Sequence, residues 1–97
     1  MTRPSAALEA HRERILQLAR AHGARNVRVF GSAARGADRE GSDLDLLVDA
    51  DESATLFTLA GLEQELSRLL GMPVDVRTPQ AISRYIRDRV LAEARPL

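Results

Sequence analysis

The chain has 97 residues, 44% hydrophobic, with fourteen acidic and fourteen basic side chains balancing to zero net charge at pH 7. That bounds it to one small domain over residues 1–97, and the neutral balance with only Phe30, Phe57 and Tyr85 as aromatics leaves neither a basic nucleic-acid footprint nor a stacking platform, so no direct nucleic-acid binding is expected. Lysine, cysteine and any membrane-length apolar run are all missing, which excludes Schiff-base chemistry, a P-loop lysine, disulfides and thiolate sites, and makes no membrane and a cytoplasmic location the expectation.

Residues 5–22 read as an amphipathic helix, with Leu8, Ile15, Leu18, Ala19 and His22 near one stripe and Gly23 as its stop. Residues 27–30 are a short strand. Residues 32–36 form a turn or a single helical turn, followed by a polar loop. Residues 43–50 are a second strand. Ser53 or Thr55 caps a helix over residues 56–70, with Leu59, Leu62, Leu66, Leu69 and Leu70 inward and Gly71 ending it. Residues 73–77 make a third strand. Thr78 and Pro79 open a last helix to about residue 94, carrying Ile82, Ile86 and Val90 four apart. Only the first four and last three residues look loose. Helices and short strands alternate, which predicts an α/β (α+β) domain: a small mixed sheet of three or more strands backed by helices.

The chemistry lies in the strands. Residues two apart on a strand share a face, so Asp43 and Asp45 point away from Leu44, Leu46 and Val48. In the third strand Asp75 stands apart from Val74 and Val76 in the same way. If all five apolar residues face the helices, the three carboxylates converge. Three anions in one place repel one another, and an oxygen-seeking divalent cation, magnesium above all, offsets that. An EF-hand does not fit, because Leu47 and Val48 fall where an oxygen ligand and a glycine are required. Gly31 and Ser32 end a strand and open a turn, which is a way to present backbone N–H groups and a hydroxyl to a phosphate. A phosphate cradle beside a magnesium site suits phosphoryl or nucleotidyl transfer.

Gly31-Ser32, the ten residues Ala33 to Ser42, then Asp43-Leu44-Asp45 resemble the motif of the DNA polymerase β-type nucleotidyltransferases, and more narrowly that of the minimal nucleotidyltransferase (MNT) antitoxins. Asp75 fits their third carboxylate, and the resemblance spans residues 27 to about 78. It implies that Asp43 and Asp45 bind two magnesium ions holding the ATP triphosphate. Asp75 would complete one metal site and help deprotonate the attacking hydroxyl, and Gly31 and Ser32 would bind the β- and γ-phosphates. The core fills nearly the whole chain, so the acceptor must be held by another protein or be that protein. In the antitoxin group it is a tyrosine on a HEPN-class RNase toxin, which implies a toxin encoded nearby and a hetero-oligomer with it. The alternatives are an antitoxin that neutralises by binding alone, and a small-molecule nucleotidyltransferase.

Several residues keep open readings. Arg35 is placed to bind phosphate or partner, or to pair with Asp38 or a metal-site aspartate. Ser42 belongs to the motif as a nucleotide-binding candidate and also reads as a turn residue. Arg77 reads as a structural ion pair, Tyr85 as helix packing, and Arg84, Arg87, Arg89 and Arg95 as a solvated face or a contact for an acidic partner. His11 and His22 would lie roughly 16 Å apart along one helix, too far to share a metal.

Overall fold

In the computed structural model, which describes residues 2–97, the helix expected over residues 5–22 is two helices, α1 (Pro4–Ala10) and α2 (Arg12–Ala21). They part at His11, whose φ of −116° and ψ of 19° leave the helical region. Nothing in the side-chain pattern marks the break: the apolar stripe runs on from buried Ala7 to buried Ile15 and Ala19.

The sheet has four strands, β1 (Ala24–Phe30), β2 (Leu44–Ala50), β3 (Val74–Arg77) and β4 (Arg95–Pro96), in the order β3-β2-β1-β4. β2 runs antiparallel to β1 and parallel to β3, so the sheet is mixed as expected. β1 begins three residues before the expected Val27, because the register shifts between Arg25 and Arg28 and Asn26 takes a positive φ of 51°. Such a bulge inserts a residue and restores the inward alternation beyond it. The last three residues are not loose. Arg95 and Pro96 pair with β1, and the Leu97 N–H donates to the Val27 carbonyl at 3.1 Å. A proline suits this position because an edge strand does not need its donor.

One face of the sheet carries the main core. Leu44, Leu46, Val48, Val74 and Val76 are buried there with Ile15 and Ala19 of α2. They meet Leu62, Leu66 and Leu70 of α3 (Leu56–Leu70). Thr55 caps α3: its hydroxyl accepts from the Thr58 N–H at 3.1 Å, and the Thr58 hydroxyl accepts from the Thr55 N–H at 2.8 Å. Gly71, at φ 68°, ends the helix as read. α3 also finishes the outer edge of β3. The Val74 N–H donates to Ser67 Oγ at 3.0 Å and the Val76 N–H to Glu63 Oε2 at 2.7 Å. An edge strand whose free amides are taken by side chains is closed to further pairing.

The opposite face is covered only in part. Leu47 is buried there under Ile82 and Val90, with Phe30 and Ala94 alongside. The helix expected from Thr78 to Ala94 is a 3₁₀ turn at Pro79–Ala81 and then α4 (Arg84–Glu93). Ile82 breaks them with extended angles, φ −92° and ψ 138°, which direct its side chain onto Leu47. The Ser83 hydroxyl accepts from the Tyr85 N–H and restarts the helix. Arg87 then ties the two pieces, donating to the Pro79 and Ile82 carbonyls at 2.8 and 3.0 Å, so it is not part of a solvated face. Ile86 is 41% exposed instead of continuing the apolar series. Tyr85 is 84% exposed; it packs under the Arg84 guanidinium, 5.2 Å from the ring centre, and not into the core.

Candidate active site

The pairing of the strands assembles the acidic face. Parallel register sets Asp45 directly beside Asp75. Antiparallel register sets Phe30 opposite Asp45, so Gly31 follows at once. Asp43 lies one residue ahead of β2 and is exposed, while Asp45 and Asp75 are half-buried. Burial pushes the Asp45 carboxyl up to about 6, and the Asp75 carboxylate, hydrogen-bonded to it, adds to the rise. Asp43 adds less, and Arg77 pulls weakly the other way. Asp75 and, more weakly, Asp43 thus both act on Asp45.

This donor set suits magnesium in kind: oxygens only, and short of positive charge. Among the described residues no group of three or more carboxylate or imidazole side chains is gathered tightly enough to hold a metal ion by itself. The face is an open half-site that suits a cation arriving with further oxygens, as phosphates supply.

Gly31 borders that face. Its φ is 74°, and a β-carbon built on it would stand 2.5 Å from Asp45 Oδ2. The position needs glycine twice, for the left-handed backbone and for the space. The carbonyls of Gly31, Ser32 and Ala33 accept from Arg35, Ala37 and Gly36 at 3.3, 2.9 and 3.3 Å. The turn is thus wound like the start of a helix, a geometry that leaves its leading N–H groups for a ligand.

The loop between turn and strand is stapled twice. Ser42 exchanges hydrogen bonds with Arg39: its Oγ accepts at 3.0 Å and its N–H donates at 3.0 Å. It closes the loop just before Asp43. Asp38, which the sequence offers only as an option for Arg35, is 3% exposed. It accepts from the Ser5 N–H at 2.8 Å and from Arg3 Nη2 at 3.1 Å, and so caps α1 from a distance. Burial alone would raise this carboxyl, but the bonds from Ser5 and then Arg3 outweigh it and hold it below the ordinary range. Arg35 pairs with neither Asp38 nor the aspartates at positions 43, 45 and 75. Its Nη1 donates to Glu93 Oε2 of α4 at 3.2 Å.

Asp38→Ala is expected to cost about 1–2 kcal/mol, typical of a lost helix cap, and is checked by urea unfolding at neutral pH. The sign follows from the lowered carboxyl. Its stabilisation is full above the ordinary carboxylate value and fades as pH falls through the depressed one. The gap between wild type and variant should therefore close in acid. A gap that widens in acid is incompatible with this cap.

A mixed sheet carrying paired aspartates beside a glycine-serine turn defines a nucleotidyltransferase, and the nucleotidyltransferase domain family model matches residues 8–97. The protein adenylyltransferase MntA of Thermococcus cleftensis is 38% identical over 86 residues, 89% of this chain and 84% of that one. A solved structure described as a minimal nucleotidyltransferase is 48% identical and covers 96% of this chain and 95% of its own, with a TM-score of 0.85. The chain belongs to the minimal nucleotidyltransferase branch of that family and is a nucleotidyltransferase. The fold is also shared with a chain in a solved complex of tri-AMPylated Shewanella oneidensis HEPN toxin and MNT antitoxin, at a TM-score of 0.68, 20% identity, and 91% and 69% coverage.

Proposed function

We propose that the chain transfers AMP from ATP to a tyrosine of a HEPN-class RNase and thereby acts as its antitoxin. The observation that carries the reading is Asp45 lying beside Asp75 and against the Gly31 turn. In this reading Asp43, Asp45 and Asp75 would hold magnesium, two ions by family resemblance, and the metal would supply the positive charge that polyphosphate and carboxylates together lack. The leading amides of the turn and the Ser32 hydroxyl bind the β- and γ-phosphates. Ser42 keeps the loop closed so that Asp43 meets the nucleotide. The acceptor oxygen bonds to the α-phosphorus, the bond from that phosphorus to the bridging oxygen breaks, and pyrophosphate leaves. The proton passes to Asp75, a carboxylate at the open face within reach of an incoming hydroxyl.

The antitoxin assignment draws support from the adenylyltransferase activity of the MntA relative and from the HEPN toxin seen with the shared fold. The face beside Asp45 is open, which leaves room for a protein acceptor. The test is an intact mass of the toxin encoded beside this chain, after incubation with the chain, magnesium and ATP. Added adenylyl units, and inactivity that persists once the chain is removed, are expected. Asp75→Asn should still bind the toxin but transfer little. A toxin of unchanged mass that recovers full activity on separation would replace enzymatic silencing with inhibition by binding.

A further inference from the structure

Beyond the acidic face, α4 and the Gly31 turn enclose a pocket of about 430 Å³ lined by Phe30, Gly31, Arg35, Arg89, Val90 and Glu93. Its floor is apolar: Val90 is buried, and Phe30 packs with it over Leu47. Its rim is charged. Arg35 and Glu93 pair across it at 3.2 Å, with 54% and 33% of their side chains exposed. Arg89 is exposed, and among the described residues it has no hydrogen-bond or ion-pair partner. The pocket touches the acidic face through Gly31, whose missing β-carbon would meet Asp45.

The charges on the two sides are opposite. A polyphosphate lying along the turn meets carboxylates at one end and guanidiniums at the other. Arginine's planar fork binds phosphate in a bidentate manner and never loses its charge. Arg89 is available as it stands. Arg35 is neutralised by Glu93, but exposed ion pairs contribute little stability and are readily exchanged. A phosphate is therefore a stronger competitor for Arg35 than Glu93 is a holder.

We propose that this pocket receives the pyrophosphate end of the nucleotide, with Arg89 as a phosphate-binding residue and Glu93 as the carboxylate that phosphate displaces from Arg35. The inference rests on the nucleotidyl-transfer reading of the Asp45 face. It assigns to α4 a part in handling the leaving group, where negative charge builds as the bond to the α-phosphorus breaks.

Calorimetry with magnesium and, separately, ATP, inorganic pyrophosphate and AMP tests it. Arg89→Ala is expected to weaken ATP and pyrophosphate binding roughly tenfold, in line with the loss of a charge-assisted hydrogen bond, and to leave AMP binding unchanged. Arg89→Lys should recover part of that loss. Glu93→Gln should tighten pyrophosphate severalfold by releasing Arg35, and that gain should vanish when Arg35→Ala is added. If Arg89→Ala binds pyrophosphate as wild type does while wild type binds ATP, the inference falls and the nucleotidyl-transfer reading stands. If AMP is weakened as much as pyrophosphate, the pocket takes the nucleoside end and the assignment is wrong. If wild type binds no ATP with magnesium, both readings fall together.

Discussion

Asp45→Asn is expected to lower AMP transfer roughly a thousandfold or more. Loss of a metal-held charge removes several kcal/mol of transition-state stabilisation, and about 1.4 kcal/mol is worth a factor of ten. The same change should make the metal-free protein more stable. Burial and the neighbouring Asp75 carboxylate push Asp45 up to about 6 in the fold, so its charged form is disfavoured there. The sign follows from proton counts. Between the ordinary aspartate value and about 6, the folded chain holds a proton that the unfolded chain has released, and stability falls as pH rises through that window. Without divalent cations, wild type should thus lose stability between about pH 4 and pH 6 relative to Asp45→Asn, which lacks this titration. If magnesium binds the carboxylate as proposed, it competes with the proton, so the rise in melting temperature on adding it should be larger at neutral pH than in acid. Melting curves with and without magnesium at several pH values check both statements. Identical pH slopes for wild type and Asp45→Asn would remove the raised Asp45 carboxyl from the account.

The acidic face was legible because strand alternation is a local property. Leu44, Leu46 and Val48 against Asp43 and Asp45 declare two faces, and Val74, Asp75 and Val76 repeat the pattern. The boundaries of α3 were legible for a similar reason, since Thr55 and Gly71 are chemical signals at the helix ends themselves. What escaped depends on partners far along the chain. Asp38 caps α1 through Ser5, 33 residues away. Arg35 meets Glu93 at a separation of 58 residues. β4 exists only because β1 lies beside it. The last helix had an unbroken apolar series in Ile82, Ile86 and Val90, yet Ile82 gains more by turning onto Leu47 than by completing a helical turn. Propensity yielded to burial there, as it commonly does when a large aliphatic side chain has a core site within reach.

Gly31→Ala is the smallest change expected to disable the site, and it acts in two separable ways. The first is conformational. An L-residue at φ 74° costs about 1–2 kcal/mol, which lowers the melting temperature of a chain this size by roughly 4–8 °C per kcal/mol. The second is positional. The new β-carbon would lie 2.5 Å from Asp45 Oδ2, so the carboxylate or the turn must move, and a displacement of about 1 Å in a reacting constellation costs on the order of a hundredfold in rate. Gly31→Asn separates the two effects. Asparagine tolerates the left-handed region better than alanine, so it should be the more stable variant, yet it carries the same β-carbon and should transfer AMP as poorly. Combining Gly31→Ala with Asp45→Ala gives the converse. With the Asp45 carboxylate gone, the contact disappears and only the backbone cost remains, so Gly31→Ala should destabilise the Asp45→Ala background less than it destabilises wild type. Equal costs in the two backgrounds would mean that the β-carbon never reaches Asp45. Near-normal transfer by Gly31→Asn would mean that the close approach of turn and carboxylate is not what the reaction requires.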